Sequence, residues 1–174
     1  NSPETPVYRK SLVLYNMHRA KDAMRRNDRV VLVEGYMDVI GVYAAGVPEV
    51  VATCGTSLTD QQARLLKRYT GHVTVNFDPD AAGARAAERS IEIFLAEDLQ
   101  VRVLSLEGGL DPDDYVKQHG KEAYLTSLER AKPYFYWLAD RARQKLDMRT
   151  GGGLSTALRL LLTALSRLTG RVRR

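Results

Sequence analysis

Short apolar runs alternate with amphipathic segments through the first two thirds of the chain. Four runs are apolar enough on both faces to predict strands buried in a parallel sheet, at residues 30–33, 50–52, 73–77 and 101–106. The segments between them predict helices at 36–45, 59–69 and 81–96. Thr59 and Gln62 form a capping box at the start of the second of these helices. Strand–helix units in series predict an α/β fold with a four-stranded parallel sheet flanked by helices.

The two ends of the chain have different patterns. Residues 1–16 are polar and predict an extended arm, and the segment 15–26 predicts a helix. After residue 114 the sequence predicts helices at 115–131 and 133–148, a break at residues 151–153, and a last helix. That last helix has an apolar stripe of Leu154, Leu158, Leu161, Leu162, Leu165 and Leu168, typical of a small helical bundle. We therefore predict an arm and helix at 1–29, a catalytic domain at 30–130 and a helical subdomain at 131–174.

Composition restricts the class of protein. The 174 residues are 44% hydrophobic and 27% charged, which is enough for a folded α/β core and excludes a disordered chain. The net charge is +5, with basic residues near both ends, which suits a nucleic-acid partner or an ordinary basic surface. Cys54 is the single cysteine, and no segment predicts a membrane span, so we expect a cytoplasmic protein without disulfides. Because it begins at Asn1 rather than Met, we expect a piece of a longer protein.

Acidic residues follow the predicted strands at the end where parallel α/β sheets bind ligands. Glu34 follows the first strand, Asp78 and Asp80 the third, and Asp111 and Asp113 the fourth. Carboxylates held close together repel one another, and a divalent cation removes that repulsion. Mg²⁺ prefers carboxylate oxygens and keeps waters that a substrate phosphate can replace. The sequence therefore predicts a site for Mg²⁺ or Mn²⁺ that serves phosphate chemistry.

Several of these residues also have simpler explanations. Asp80 could cap the helix that starts at residue 81, and Asp38 could be an ordinary acidic residue in the first turn of a helix. Gly35 and Gly55 would let backbone amides approach a phosphate, although a tight turn explains both glycines nearly as well. Helix capping or an ordinary first-turn position can explain one such acid. It does not readily explain acids at the ends of three strands.

Four motifs together resemble the Toprim domain of bacterial DNA primases. They are Val33-Glu34-Gly35-Tyr36-Met37-Asp38-Val39, Gly55-Thr56-Ser57-Leu58-Thr59, Phe77-Asp78-Pro79-Asp80-Ala81-Ala82-Gly83 and Leu110-Asp111-Pro112-Asp113-Asp114. The Glu after the first strand and the Asp-X-Asp after the third are shared by the whole Toprim superfamily. The Glu-Gly-Tyr-Met-Asp string is more specific for primases, as is the opening 1–6 with Lys10 and Tyr15. The resemblance covers residues 1 to about 130.

The resemblance implies an activity. Such primases make short RNA primers on a single-stranded DNA template from ribonucleoside triphosphates, and they meet the replicative helicase through a region absent from this sequence. It implies that Asp78, Asp80, Asp111 and Asp113 hold the metal and that Glu34 binds a metal or acts as general base. Asp38, Gly35, Gly55 and Lys10 would lie near nucleotide or template, although Lys10 is equally well explained as a solvated lysine.

Other functions remain open at this point. A Toprim nuclease or topoisomerase is the nearest alternative, although a topoisomerase needs a nucleophilic tyrosine that the sequence does not identify. A phosphatase or phosphotransferase could use Asp78 itself as nucleophile. A binding module could keep the fold without the metal. A dinucleotide-binding domain is disfavoured because no Gly-X-Gly-X-X-Gly follows the first strand.

Overall fold

The structure is a computed structural model that describes residues 3–6, 8–78, 80–147 and 149–169. It contains two compact units, Asn1–Ala131 and Lys132–Arg174. In the first unit the strands are β1 (Leu14–Tyr15), β2 (Val30–Val33), β3 (Val50–Thr53), β4 (His72–Asn76) and β5 (Gln100–Val103). Its helices are α1 (Met17–Asn27), α2 (Tyr36–Ala44), α3 (Asp60–Lys67), α4 (Ala81–Ala96) and α5 (Pro112–Glu129), with a 3₁₀ turn at Glu107–Gly109.

The five strands of this unit lie in the order β1-β3-β2-β4-β5. The neighbours β3, β2, β4 and β5 are parallel, which confirms the predicted four-stranded sheet. β1 adds an antiparallel edge strand that the sequence analysis did not predict, in which Leu14 pairs with Thr53. In the register between β2 and β4, Val33 lies beside Asn76. The residues that follow these two positions therefore leave the sheet at the same edge.

The inner strands β2 and β3 are buried on both faces, whereas in β5 exposed residues alternate with buried ones. All four residues of β2 are fully buried. One face packs against α2 and α5, with Val42, Tyr115 and Leu128 among the buried residues. Burying each such side chain stabilises the fold by about 1.5–3 kcal/mol. β2, the most buried strand, thus fixes the position from which Glu34 emerges.

Local signals explain where the helices begin. Thr59 accepts a hydrogen bond from the Gln62 N–H at 3.2 Å and Gln62 accepts one from the Thr59 N–H at 3.0 Å, which confirms the predicted capping box. Asp80 caps α4 by accepting from the Gly83 N–H at 2.7 Å. Asp111 caps α5 by accepting from the Asp114 N–H at 2.7 Å. The first turns of α4 and α5 are thus held by two of the predicted metal ligands.

Several predicted boundaries are wrong. The helix predicted from residue 15 begins at Met17, because Asn16 adopts a left-handed φ of 66° and its side-chain amide donates to the Val50 carbonyl at 2.9 Å. The strand predicted at 101–106 ends at Val103. The helix predicted from residue 115 begins at Pro112, because Asp111 caps it and proline suits the first helical turn.

The second unit contains a two-residue strand, β6 (Lys132–Pro133), and the helices α6 (Tyr134–Lys145) and α7 (Gly151–Thr169), which pack together. The predicted break at residues 151–153 is wrong, because the Thr150 hydroxyl accepts from the Gly153 N–H at 3.1 Å and starts α7 at Gly151. A Cβ atom at Gly153 would lie 2.0 Å from the Asp147 carbonyl oxygen, so a glycine is needed there for close packing. Asn1, Ser2, Pro79, Met148 and the Leu168 side chain lie outside the described residues.

Candidate active site

The first acidic residue, Glu34, directly follows β2 and is exposed at the edge of the sheet. Gly35 takes the next position and is the N-cap of α2. A side chain of α2 closes the turn, because the Gly35 N–H donates to Asp38 Oδ2 at 3.0 Å. A Cβ atom at Gly35 would lie 3.3 Å from that same oxygen, so a glycine allows the turn to be tight. The turn aims Glu34 away from the core.

The second acidic group follows β4. Asp78 lies two residues after the strand, and its Oδ1 is buried without a hydrogen-bond partner among the described residues. Its backbone lies against α4, where a Cβ atom at Gly83 would stand 2.3 Å from the Asp78 carbonyl oxygen. Asp80 is exposed, and one of its carboxylate oxygens caps α4. The capping role suggested by the sequence is therefore observed, and the other carboxylate oxygen of Asp80 is not needed for it.

The third acidic group lies at the start of α5. Asp111 caps the helix, whereas the Asp113 carboxylate lies against α2. A Cβ atom at Gly41 would lie 2.1 Å from Asp113 Oδ1, and Lys117 Nζ is 2.5 Å from Asp113 Oδ2. The charge of Asp113 is thus already compensated by a neighbour on its own helix. Asp80 and Asp111 accept from backbone amides, whereas the Asp113 carboxylate is paired with a basic side chain.

Asp38 is the most buried acid of the group, with 9% of its surface exposed. Burial, followed by repulsion from Asp78 and Asp111, raises its pKa to about 6, although the Gly35 and Asp113 backbone amides oppose the increase. Asp38 therefore links the turn after β2 to the first turn of α5. Asp38 is thus covered by the protein, whereas Glu34 is exposed at the edge of the sheet.

The carboxylates at this edge interact electrostatically. Burial raises the pKa of Glu34, and the negative charge of Asp78 adds to the increase. Burial also raises the pKa of Asp78, with Asp111 as the next largest cause and Asp80 after it. Glu34 and Asp78 are thus both harder to ionise, in part because neighbouring carboxylates are charged. This mutual repulsion is what a bound cation would remove.

The chemistry of this edge fits a hard cation. The available donors are carboxylate oxygens, and Asp78 Oδ1 is a buried oxygen atom in need of a partner. Among the residues that the structure describes, no group of three or more His, Cys, Asp or Glu side chains is arranged to hold a metal ion as it stands. The ligand roles of all five predicted acids, Glu34, Asp78, Asp80, Asp111 and Asp113, thus stay predictions.

The predicted phosphate-binding residues are distributed around this edge. Gly55 follows β3 with a φ of 73° and is exposed. Lys10 is held by its backbone, since its carbonyl oxygen accepts from the buried Gln62 side chain at 2.8 Å. Gln62 also donates to the Val13 carbonyl at 2.7 Å. The arm that carries Lys10 is therefore fixed to the start of α3.

Two buried polar residues below the acidic edge escaped the sequence analysis. Tyr124 is fully buried on α5, and its hydroxyl donates to Asn76 Oδ1 at 2.8 Å. Burial raises the pKa of Tyr124 far above its ordinary value, and the nearby charge of Asp38 contributes. Tyr124 is indistinguishable from a core aromatic in the sequence. Asn76 carried a detectable signal, because an amide that ends an otherwise apolar buried strand needs a partner.

Comparison with known proteins places this site in a family. A family model described as Toprim-like matches residues 31–116, which include all five of the predicted metal-binding acids. The DNA primase of Halalkalibacterium halodurans is 45% identical over 124 residues, covering 71% of this chain and 21% of that protein. The DNA primase of Synechococcus elongatus is 41% identical over 147 residues, covering 81% of this chain and 21% of that protein.

A solved structure of the DnaG primase catalytic domain bound to ssDNA is also similar, with 34% identity and a TM-score of 0.84. The aligned region covers 99% of this chain and 56% of the chain in that structure. This chain belongs to the Toprim domains of bacterial DNA primases. The chain spans about a fifth of the length of the curated primases that it matches, 21% for each of the two described above.

Membership in the primase Toprim family confirms the fold class predicted from the motifs. It also disfavours the nuclease and topoisomerase alternatives, since the matched proteins are primases. Among the described residues, no helix of this primase Toprim domain is both long and apolar enough to cross a membrane.

Proposed function

We propose that this chain is the metal-dependent catalytic core of a DNA-directed RNA polymerase of the primase type. It joins ribonucleoside triphosphates into short primers on a single-stranded DNA template during replication. The observation that supports this best is the set of mutually repelling carboxylates, Glu34, Asp78 and Asp111, at one edge of a Toprim sheet. The similarity to a primase catalytic domain bound to ssDNA supports the choice of template.

The acidic residues divide the work of holding Mg²⁺ or Mn²⁺. Asp78 is the principal ligand, because its buried Oδ1 needs a partner. Asp80 and Asp111 each use one oxygen as a helix cap and keep the second for the cation or its waters. Asp113 would bind the cation only if its carboxylate were released from Lys117. A cation held by these residues would neutralise the triphosphate of the incoming nucleotide and favour attack of the primer 3′-hydroxyl on its α-phosphate, with pyrophosphate as the leaving group.

Glu34 has two candidate roles that a single variant separates. As a metal ligand it would contribute to Mn²⁺ affinity, whereas as a general base it would take the proton of the primer 3′-hydroxyl. Its raised pKa suits proton transfer because it lies closer to neutral pH than an ordinary glutamate. Glu34→Gln abolishes primer synthesis in both cases. A Mn²⁺ dissociation constant that stays unchanged in this variant identifies the base, and a weakened one identifies the ligand.

The nucleotide and the template approach this edge from the exposed side. Because the Gly35 N–H already donates to Asp38, the amides that could meet phosphate oxygens are those that follow Gly35 in the first turn of α2 and those near Gly55, where glycine leaves room for close approach. Lys10 supplies positive charge from the arm anchored on α3. The sequence assigned Asp38 to nucleotide or template binding. In this proposal its role is indirect, because its carboxylate accepts from the Gly35 N–H and so holds the turn after β2.

We place the arm and first helix at residues 1–29, the catalytic domain at 30–130 and a helical subdomain at 131–174. The cytoplasm and the replicative helicase are the location and partner expected of a replication primase, the helicase binding through other parts of the protein.

We expect residues 1–174 alone to bind metal and weakly bind nucleotide, yet to make little primer. Holding template, two nucleotides and metal in one geometry supplies much of the rate, and the aligned part of this chain covers only 21% of the length of the Synechococcus elongatus primase.

Mn²⁺ titration by calorimetry tests the metal site directly. We expect the chain to bind with a dissociation constant on the order of micromolar to millimolar. Asp78→Asn should abolish that binding while leaving the circular dichroism unchanged. Asp22→Asn is the matched control, because it removes the same charge from an exposed position on α1. Equal Mn²⁺ binding by all three proteins would overturn the assignment.

Primer synthesis tests the function itself. A single-stranded template and ribonucleotides are incubated with residues 1–174 and with the same chain extended at its N-terminus. The extended protein should make primers, and Asp78→Asn in it should make none. Normal primer yield from Asp78→Asn would exclude the proposed site. Equal yields from the short and extended proteins would show that the short chain already holds the template.

A further inference from the structure

A single buried hydrogen bond lies directly below the acidic edge. Tyr124 is 0% exposed and Asn76 is 1% exposed, and the bond between them is 2.8 Å long. The surrounding cluster is apolar, with Val31, Val33 and Tyr115 among its members. A phenylalanine and an aliphatic side chain would fill the same space without burying two polar groups. The polar pair therefore calls for an explanation beyond packing.

The pair is placed where it can control the acids. Asn76 is the last residue of β4, two positions before Asp78. In the sheet register it lies beside Val33, the residue directly before Glu34. A side chain that holds Asn76 thus holds the point from which both strand ends leave the sheet.

The other partner, Tyr124, belongs to the helix that Asp111 caps. α5 is interrupted at Gly120, where φ is 78°, so its first turn and its Tyr124 segment are not one rigid rod. Tyr115 joins them. Its ring centroid is 6.3 Å from that of Tyr124, and its hydroxyl is 3.1 Å from the Ser127 hydroxyl. The Tyr115 N–H donates to the Asp111 carbonyl at 2.9 Å, which completes the connection to the cap.

We propose that Tyr124 is a positioning residue of the metal site, which sets the spacing between Asp78 and Asp111 through its hydrogen bond to Asn76. This inference rests on the proposed metal-dependent function. Tyr124 does not itself touch metal or substrate. It acts by linking the strand end that carries one ligand to the helix that carries the other.

Tyr124→Phe tests the proposal because it removes one oxygen and keeps the ring. We expect the Mn²⁺ dissociation constant to rise about tenfold, as removal of groups that orient metal ligands commonly does. In the extended primase, we expect the KM for Mn²⁺ to rise similarly. Asn76→Leu should weaken Mn²⁺ binding by a similar factor. The double variant should lose no more than either single variant, because both break the same bond.

Thr70→Val is the matched control at the opposite end of β4. Its buried hydroxyl donates to Asp28 Oδ1 at 2.9 Å and accepts from the His72 N–H at 3.0 Å. This variant should lose stability against urea while keeping the Mn²⁺ affinity of the unaltered chain. If the Tyr124 hydroxyl served only the core, Tyr124→Phe would behave like this control. It would lose stability against urea and keep its Mn²⁺ affinity.

The outcomes distinguish this inference from the proposed function. If the unaltered chain binds Mn²⁺ and Tyr124→Phe binds it equally well, the positioning role is wrong and the metal site stands. If the single variants weaken binding independently, so that the double variant loses the product of both factors, Tyr124 does not act through Asn76 and the proposal fails. If the unaltered chain binds no Mn²⁺ at millimolar concentration, the metal site and the positioning role are both overturned.

Discussion

Replacing Asp38 with asparagine should stabilise the chain when no metal is present. Asp38 is nine-tenths buried, and its pKa is raised from the ordinary 3.8 to about 6, mainly by burial and then by the charges of Asp78 and Asp111. The folded protein thus holds the Asp38 proton more tightly than the unfolded chain does. The contribution of Asp38 to stability is therefore greatest below about pH 4 and is lost as pH rises through about 6, where the buried carboxylate becomes charged.

The size of the effect follows from this difference in pKa. At about 1.4 kcal/mol for each tenfold change in the dissociation constant, ionising Asp38 costs the folded state up to about 3 kcal/mol. Asparagine removes that cost and can still accept from the Gly35 N–H. The amide is a weaker acceptor for its other backbone partner at Asp113, which costs about 1 kcal/mol. The expected net gain at neutral pH is about 1–2 kcal/mol.

Urea unfolding in the presence of EDTA measures this gain. The asparagine variant should be more stable than the unaltered chain at neutral pH and lose that advantage at about pH 4. Asp22→Asn, an exposed change on α1, should alter stability by less than about 0.5 kcal/mol at either pH. If Asp38→Asn destabilised the chain equally at both pH values, Asp38 would be a structural hydrogen-bond acceptor whose charge carries no cost, and the electrostatic account of the site would be refuted.

Three further variants test the supports of the site. Gly83→Ala should cost about 1–3 kcal/mol in urea unfolding and weaken Mn²⁺ binding, because its Cβ would lie 2.3 Å from the Asp78 backbone oxygen; Gly71→Ala, which has open space, is the neutral control. Gln62→Leu should free the N-terminal arm, which limited proteolysis would reveal as faster cleavage near Lys10 than in the unaltered chain. Lys10→Ala should lower the salt dependence of single-stranded DNA binding by about 0.7 in the logarithmic slope, and an unchanged slope would exclude a phosphate contact.

The parts of the fold that depend on local chemistry could be predicted from the sequence. Apolar runs place the parallel strands because only buried strands are apolar on both faces, as β2 is. The capping box at Thr59 predicts a helix start because it is complete within four residues. β1 could not be predicted, because two residues carry no periodic pattern and its pairing with β3 depends on residues far along the chain.

The location of the candidate site at one edge of the sheet could be predicted from the sequence, whereas its detailed geometry could not. The order of strands and acids places Glu34 and Asp78 at one edge, since parallel strands end on the same side. The orientation of Asp113 toward Gly41 depends on the close approach of two helices, which spacing does not reveal. The bond between Tyr124 and Asn76 joins residues 48 positions apart, so only the folded chain displays it.

The antiparallel strand β1 also protects the molecule against self-association. An open sheet edge presents unpaired amides and carbonyls to any passing strand. β1 pairs with Ala52 and Thr53 of β3, and the Asn16 side chain donates to the Val50 carbonyl, so most of that edge is occupied from within the chain. A version of the protein that began at β2 would keep every acid of the site and expose β3 as a template for aggregation. We therefore expect removal of the residues before β2 to promote aggregation through β3.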